Sequence, residues 1–236
     1  MKNGIVTELC AGSLADCMTA ANFPEIDRIE LNCALELGGL TPSFSTFAEA
    51  RKITGKKIIC MIRPRPAGFN YSSDEKQLMF REARLFLESG ADGIVFGFLN
   101  ADLTVDEEST AQMCRLAHSF SKEAVFHMAF DLTHDASAAA ESLISCGTDR
   151  ILTRGHAENA LQGKEEIASL INRYGSDIQF LPGGGVNAGN VREILGFTKS
   201  GQIHFSAKSV FHDSGAYFAS DINKVRNILD QIGSLQ

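Results

Sequence analysis

Ile5-Val6-Thr7-Glu8-Leu9-Cys10-Ala11-Gly12-Ser13 is the stretch that decides the fold. Its first part reads as a strand over Ile5–Cys10, and a helix over Ser13–Ala21 follows after a very short turn. That turn lacks the G-x-G-x-x-G spacing that a doubly wound nucleotide-binding sheet carries after its first strand. Working outward, the same unit recurs. Further strands are expected at Arg28–Leu31, Lys57–Ile62, Gly93–Gly97, Ala124–His127, Arg150–Thr153, Ile178–Leu181 and Gln202–Phe205. The intervening helices are expected at Ser43–Lys52, Ser73–Ser89, Asp106–Ser119, Ala136–Ser145, Ala157–Arg173, Ala188–Leu195 and Ser220–Ile232. Each strand-plus-helix unit takes about 30 residues, the size of one step in a parallel sheet. No linker, charge block or low-complexity stretch divides the chain. A single α/β domain over residues 1–236, closed as a (β/α)8 TIM barrel, follows.

Local punctuation agrees. Gly90 and Gly147 each stand where a helix ends and a strand is about to begin, the position of a C-terminal cap. Ser43 and Ser73 are placed to cap helices, with Lys76 instead of Glu at the reciprocal capping-box position of the second.

Composition narrows the function classes. The 236 residues are 44% hydrophobic and 22% charged, as in ordinary globular proteins, with a net charge of −7. An acidic balance argues against nucleic-acid and anionic-membrane partners, which select a basic surface. No apolar run approaches the roughly 18 residues of a membrane span. Glu8 stands where the apolar core of a signal peptide belongs, so no export signal is expected. The six cysteines form no C-x-x-C pair, and reduced thiols, mostly in the core, are expected over a disulfide or zinc framework.

Barrel chemistry sits at the carboxyl ends of the strands, which directs attention to polar residues there. Glu8 and Cys10 share one side of the first strand, and Glu30 and Asn32 share one side of the second. The third ends in Arg63-Pro64-Arg65-Pro66, where prolines stiffen the backbone under two guanidiniums. The fifth ends at His127 with Asp131 beyond it, and the sixth runs into Thr153-Arg154-Gly155-His156. Gly183, Gly184 and Gly185 follow the seventh; His204, Ser206 and Lys208 close the eighth. A glycine run there, beside Ser206 and Lys208, matches the usual phosphate position of barrels, because bare amides can approach an anion. Either carboxylate alone would read equally well as a structural partner of an arginine. Repetition of ionisable groups at one end favours a functional cavity.

Taken in order, several strings resemble the CutC copper homeostasis family. They are Glu8-Leu9-Cys10, Arg28-Ile29-Glu30-Leu31, Gly38-Gly39-Leu40-Thr41-Pro42-Ser43, Ile62-Arg63-Pro64-Arg65 with Gly68-Phe69 and Tyr71, and Gly90-Ala91-Asp92-Gly93. Phe126-His127 with Ala129-Phe130-Asp131, Arg150-Ile151-Leu152-Thr153, Pro182-Gly183-Gly184-Gly185 and His204 with Ser206-Ala207 continue the match to about Ser209. The resemblance implies a single barrel, a cytoplasmic setting, self-association as a homodimer or larger homo-oligomer, and copper handling through Cu(I). The family attaches that role to cysteines closing the first two strands. Cys10 matches the first; Asn32 stands at the second, with Cys33 displaced by one. Met128 stands where the family usually has arginine, and Arg154 where it usually has serine. Arg154 is therefore expected to supply the missing charge to the same anion. The stretch 211–220 looks shorter than the family's usual connection, implying a more open mouth.

Two functions stand at this point. One is a cytoplasmic Cu(I)-binding or trafficking protein using Cys10 and Cys33. The other is an enzyme acting on a phosphorylated or other small anionic molecule. Glu8, Glu30, His127 and Asp131 would then transfer protons, and Arg63, Arg65, Arg154, Gly183, Gly184, Gly185, His204, Ser206 and Lys208 would bind substrate.

Overall fold

A computed structural model describes residues 3–235. Eight short strands, β1 (Val6–Ala11), β2 (Arg28–Leu31), β3 (Lys57–Met61), β4 (Gly93–Phe96), β5 (Glu123–Phe126), β6 (Arg150–Thr153), β7 (Gln179–Pro182) and β8 (Gln202–Phe205), pair in parallel in the order 7-6-5-4-3-2-1-8. They alternate with α1 (Leu14–Ala21), α2 (Phe44–Ile53), α3 (Ser73–Glu88), α4 (Glu107–Ser119), α5 (Ala136–Ser145), α6 (Lys164–Tyr174), α7 (Val191–Thr198) and, after a hairpin, α8 (Ile222–Gly233). The expected (β/α)8 barrel is the fold. Among the described residues no ladder joins β7 to β8. Side chains bridge that seam instead: Gln202 Nε2 donates to Gln179 Oε1 at 3.2 Å and to the Phe180 carbonyl at 3.3 Å, and Ser200 Oγ donates to that same carbonyl.

Strand alternation divides the core into two. Side chains facing the helices, among them Ile29, Leu31, Cys60, Phe96 and Phe126, form the large outer core. Inside the ring a small apolar plug of Ile59, Met61, Val95 and Val125 separates two polar ends. Cys60 therefore packs under the helices while Met61 faces the barrel axis, as the direction of Arg63 requires.

The helix boundaries show where local sequence was misleading. Ser72, not Ser73, caps α3: its side chain accepts from the Glu75 amide, and Glu75 returns to the Ser72 amide in a complete capping box. α6 begins at Lys164, not Ala157, because 154–163 folds back so closely that a Cβ on Gly155 would strike the Gly163 carbonyl. Gly155 lies at φ +72, a region that suits glycine. α7 starts late because Asn187 and Asn190 build a turn in front of it, with Asn190 Oδ1 accepting from the Asn187 amide at 2.8 Å. The segment before α8 is an antiparallel hairpin, β9 (Lys208–His212) and β10 (Ala216–Ser220), which sequence reading passed over. Ser220 ties it to α1 through an amide donated to Asp16 Oδ1 at 2.6 Å.

Candidate functional site at the carboxyl end of the barrel

The carboxyl ends of the strands surround a cavity of about 350 Å3. Cys10, Glu30, Asn32, Arg63, His127, Gly184, Gly185, His204, Ser206 and Lys208 all line it, so most of the expected site residues converge. Apolar wall is supplied by Met61, Phe69, Leu152 and Val186.

Its floor is a hydrogen-bonded cluster from β1, β2 and β8. Parallel register sets Cys10 beside Glu30 and Glu8 beside His204. Asn32 Nδ2 donates to Glu30 Oε1 at 2.9 Å, and the Cys10 thiol approaches that same oxygen at 3.6 Å. Ligand atoms of Cys10, Glu30 and His204 lie within 4.8 Å of one another. His204 Nδ1 meets Glu8 Oε1 at 2.7 Å, which fixes the ring and leaves Nε2 as its free nitrogen. Glu8 does not line the cavity; its second oxygen is bound by Arg28 Nε, so it works as a buried strut.

These contacts set the proton affinities. For Glu8 burial acts upward, yet Arg28 and His204 prevail and hold the carboxyl well below its ordinary range. Burial, reinforced by Glu8, raises Glu30 against the downward pull of His204. Burial acts downward on His204, but Glu30 and Glu8 together raise it. Burial and the neighbouring Glu30 carboxyl push the Cys10 thiol well upward, so it stays protonated. Glu30 and His204 thus stand as neighbouring acid–base groups on the cavity floor, each raised from its ordinary range.

The opposite wall comes from β3 and β5. Arg63 is 6% exposed, and its guanidinium donates to the carbonyls of Gly38, Gly39 and Ala67, locking two loops over the barrel. Phe69 lies against both the Arg63 guanidinium, 4.9 Å from its centroid, and the His127 ring at 4.7 Å. His127 Nδ1 accepts from the Ala129 amide at 3.1 Å, so in the neutral ring the proton belongs to Nε2. Burial, with help from the Arg63 charge, pushes this histidine down to about 3. His127 Nε2, Arg63 Nε and Asn32 Oδ1 are all buried without a hydrogen-bond partner among the described residues. They lie beneath the cavity surface, and each carries a desolvation cost of about 1–3 kcal/mol.

Across the mouth, Gly184 and Gly185 adopt φ +89 and +74 beside Ser206 and Lys208. The two glycine amides donate to no acceptor among the described residues and so remain available to an anion. Gly183 is behind them; a Cβ there would press on Leu152 and His204.

Other expected site residues lie elsewhere. Arg65 turns outward to Glu75, to the Gly68 and Asn70 carbonyls and over the Tyr71 ring. Asp131 organises the loop after β6: it accepts from the Thr153 hydroxyl and from the Arg154 and His156 amides. The Arg154 side chain stays near that carboxylate at 3.9 Å and forms no part of the cavity wall. Cys33 donates to the Thr41 carbonyl at 3.1 Å and stands apart from the Cys10 cluster. Phe69, quoted in the sequence only as part of a family string and not assigned to the site, packs over its two key wall residues.

The family model described as the CutC family matches residues 5–209. The family protein CutC of Treponema denticola is 44% identical over 207 residues, covering 88% of this chain and 82% of that protein. The copper homeostasis protein cutC homolog of Homo sapiens is 36% identical over 216 residues, covering 92% and 78%. Among solved structures, CutC from Streptococcus agalactiae superposes with a TM-score of 0.79 at 30% identity, covering 86% of this chain and 98% of that one.

Proposed function

The chain belongs to the CutC family, and from that premise we propose that it binds a small anionic molecule, of the phosphorylated class, in the mouth of the barrel and transfers a proton on it. The observation that carries this reading is the anion-accepting edge of the cavity, where the unbonded Gly184 and Gly185 amides stand beside Ser206 and Lys208 and face the Glu30–His204 floor. Lys208, Ser206 and the Gly184 and Gly185 amides would receive its phosphate on the far side. Glu30 and His204, between the two walls, would move the proton. Glu8 holds the His204 ring and Arg63 holds the loops; both are positioning residues. A cytoplasmic setting and self-association, implied by the family resemblance, are part of the proposal.

A thermal-shift panel of sugar phosphates and phosphorylated carboxylates tests it, since a ligand of the native state raises its melting temperature. At least one compound should stabilise the wild type and lose that effect in both Lys208→Gln and His127→Asn. A panel with no hit, or hits indifferent to both substitutions, would remove the reading.

A second reading is Cu(I) binding as cargo, favoured by the clustering of Cys10, Glu30 and His204 and by the copper homeostasis name of the human relative. The donor set fits in part: one thiol and one imidazole suit a soft ion, and the carboxylate does not. Because the Cys10 thiol holds its proton tightly, a metal would have to displace it, making affinity rise with pH. Anaerobic titration against a chelator, with wild type and Cys10→Ser, decides this reading; binding that survives the substitution ends it.

A further inference from the structure

The amino end of the barrel holds a second and larger cavity, about 660 Å3, which the mouth chemistry leaves unused. Its walls are the first residues of the strands. Arg28 opens β2, Lys57 β3, Glu123 β5, Arg150 β6, Gln179 β7 and Gln202 β8. Barrel interiors are ordinarily filled there by branched apolar side chains. This one has buried two arginines, at 4% and 2% exposure, below the apolar plug.

Neither guanidinium is fully satisfied. Arg28 binds Glu8 through Nε and donates from Nη2 to Gln202 Oε1 at 3.0 Å, and its Nη1 makes no hydrogen bond among the described residues. Arg150 donates from Nη2 to Glu123 Oε2 at 2.9 Å and, at a long 3.4 Å, from Nε to Gln179 Oε1. Its Nη1 is buried with no hydrogen-bond partner among the described residues. Burial, and then the charge of Arg28, lower the proton affinity of Arg150, so the two guanidiniums stand close enough to repel. Lys57 shares Glu123 with Arg150 at 3.6 Å, and Lys199 on the cavity wall forms no ion pair among the described residues. Asp27, the other carboxylate on the wall, accepts the Thr7 amide at 3.0 Å. The cavity therefore gathers four cationic side chains against Asp27 and Glu123 on its wall and Glu8 behind Arg28, with a guanidinium nitrogen left over on each buried arginine.

We infer that this cavity is a second ligand site, holding a small organic anion whose carboxylate or phosphate group lies between Arg28 and Arg150, with Lys199 at the rim. A planar guanidinium donates two parallel hydrogen bonds to an oxyanion, and an anion between two such groups cancels their repulsion. The volume far exceeds the roughly 30 Å3 share of one water, so the ligand has a body as well as a charged group. The site lies across the plug from the mouth and stands independently of the function proposed there.

The test uses the whole chain and two probes, inorganic phosphate and citrate, followed by the Nε–H resonances of the arginines. Both probes should shift the Arg28 and Arg150 signals at millimolar concentration, with citrate the tighter because it has a body. Gln179→Glu places a fixed carboxylate where Arg150 Nε and Gln202 Nε2 already donate, so the variant keeps its fold. It should weaken both probes at least tenfold, a loss of about 1.4 kcal/mol. Lys199→Ala, at the rim, should weaken them a few-fold. His127→Asn and Lys208→Gln should leave these shifts unchanged, which separates this site from the mouth. The inference fails if neither probe moves the two arginine signals, or if Gln179→Glu binds them as tightly as wild type.

Discussion

His127 gives the sharpest prediction, because burial of its ring holds it neutral. Its folded proton affinity sits at about 3, against about 6.5 in an unfolded chain. Between those values the unfolded state binds one more proton than the native state. Stability from this group is therefore complete above pH 6.5 and falls as pH drops, by about 1.4 kcal/mol per pH unit. From pH 6.5 to pH 5 the loss is about 2 kcal/mol, a sizeable share of the 5–15 kcal/mol a domain usually has. Above pH 6.5 the sign inverts: His204 is raised in the fold, so its contribution is present at low pH and lost as pH rises through its folded value.

The assay is urea unfolding of wild type and His127→Asn at several pH values between 5 and 7. Asparagine can still accept the Ala129 amide, and any constant cost of the smaller side chain cancels when slopes are compared. The variant should lack the acid-side slope of about 1.4 kcal/mol per pH unit while keeping the rest of the profile. Two parallel profiles would show that His127 titrates normally in the fold. The neutral, Nε2-protonated ring assigned to this wall of the cavity would be gone.

Four other substitutions probe separate contacts. Glu8→Gln strips the charge partner from buried Arg28 and should cost about 3–5 kcal/mol in urea unfolding; a change below about 1 kcal/mol would contradict the strut role. Gly155→Ala forces a side chain at φ +72 into the Gly163 carbonyl and should lose at least about 2 kcal/mol by the same measurement. Cys33→Ser should leave Cu(I) affinity in a chelator competition unchanged, since that sulfur faces the Thr41 carbonyl, whereas Cys10→Ser should reduce it at least tenfold if the cluster binds copper.

The fold was legible because period and punctuation are local. Arg28–Leu31, Arg150–Thr153 and Gln202–Phe205 are strands with the boundaries their apolar alternation implies. Less legible were segments whose conformation depends on a distant contact. Residues 157–163 have a helical composition, yet Gly155 and Gly163 bring two backbones together and delay α6 until Lys164. The hairpin after β8 was legible in Val210-Phe211 and Tyr217-Phe218 flanking Asp213-Ser214-Gly215, but it is exposed on most of its residues and its anchor, Asp16, lies some 200 residues earlier in the chain.

The site divides along the same line. Alternation correctly faces Glu30, Asn32 and Cys10 toward one another, because two-residue spacing fixes a side of the strand. It cannot name a partner. Asp131 and Arg65 sit at the right end of the barrel with the right charge, and both are held by neighbours: a loop of amides in one case, the Glu75 capping carboxylate in the other. Asn32 shows the reverse. Its amide binds Glu30 on the cavity floor, while Cys33 turns to the Thr41 carbonyl. A floor of one thiol, one imidazole and one carboxylate is a poor match to two-thiolate copper, while the mouth above it offers amides, a hydroxyl and an ammonium to an anion, and this is the physical ground for ranking the anionic substrate above the metal.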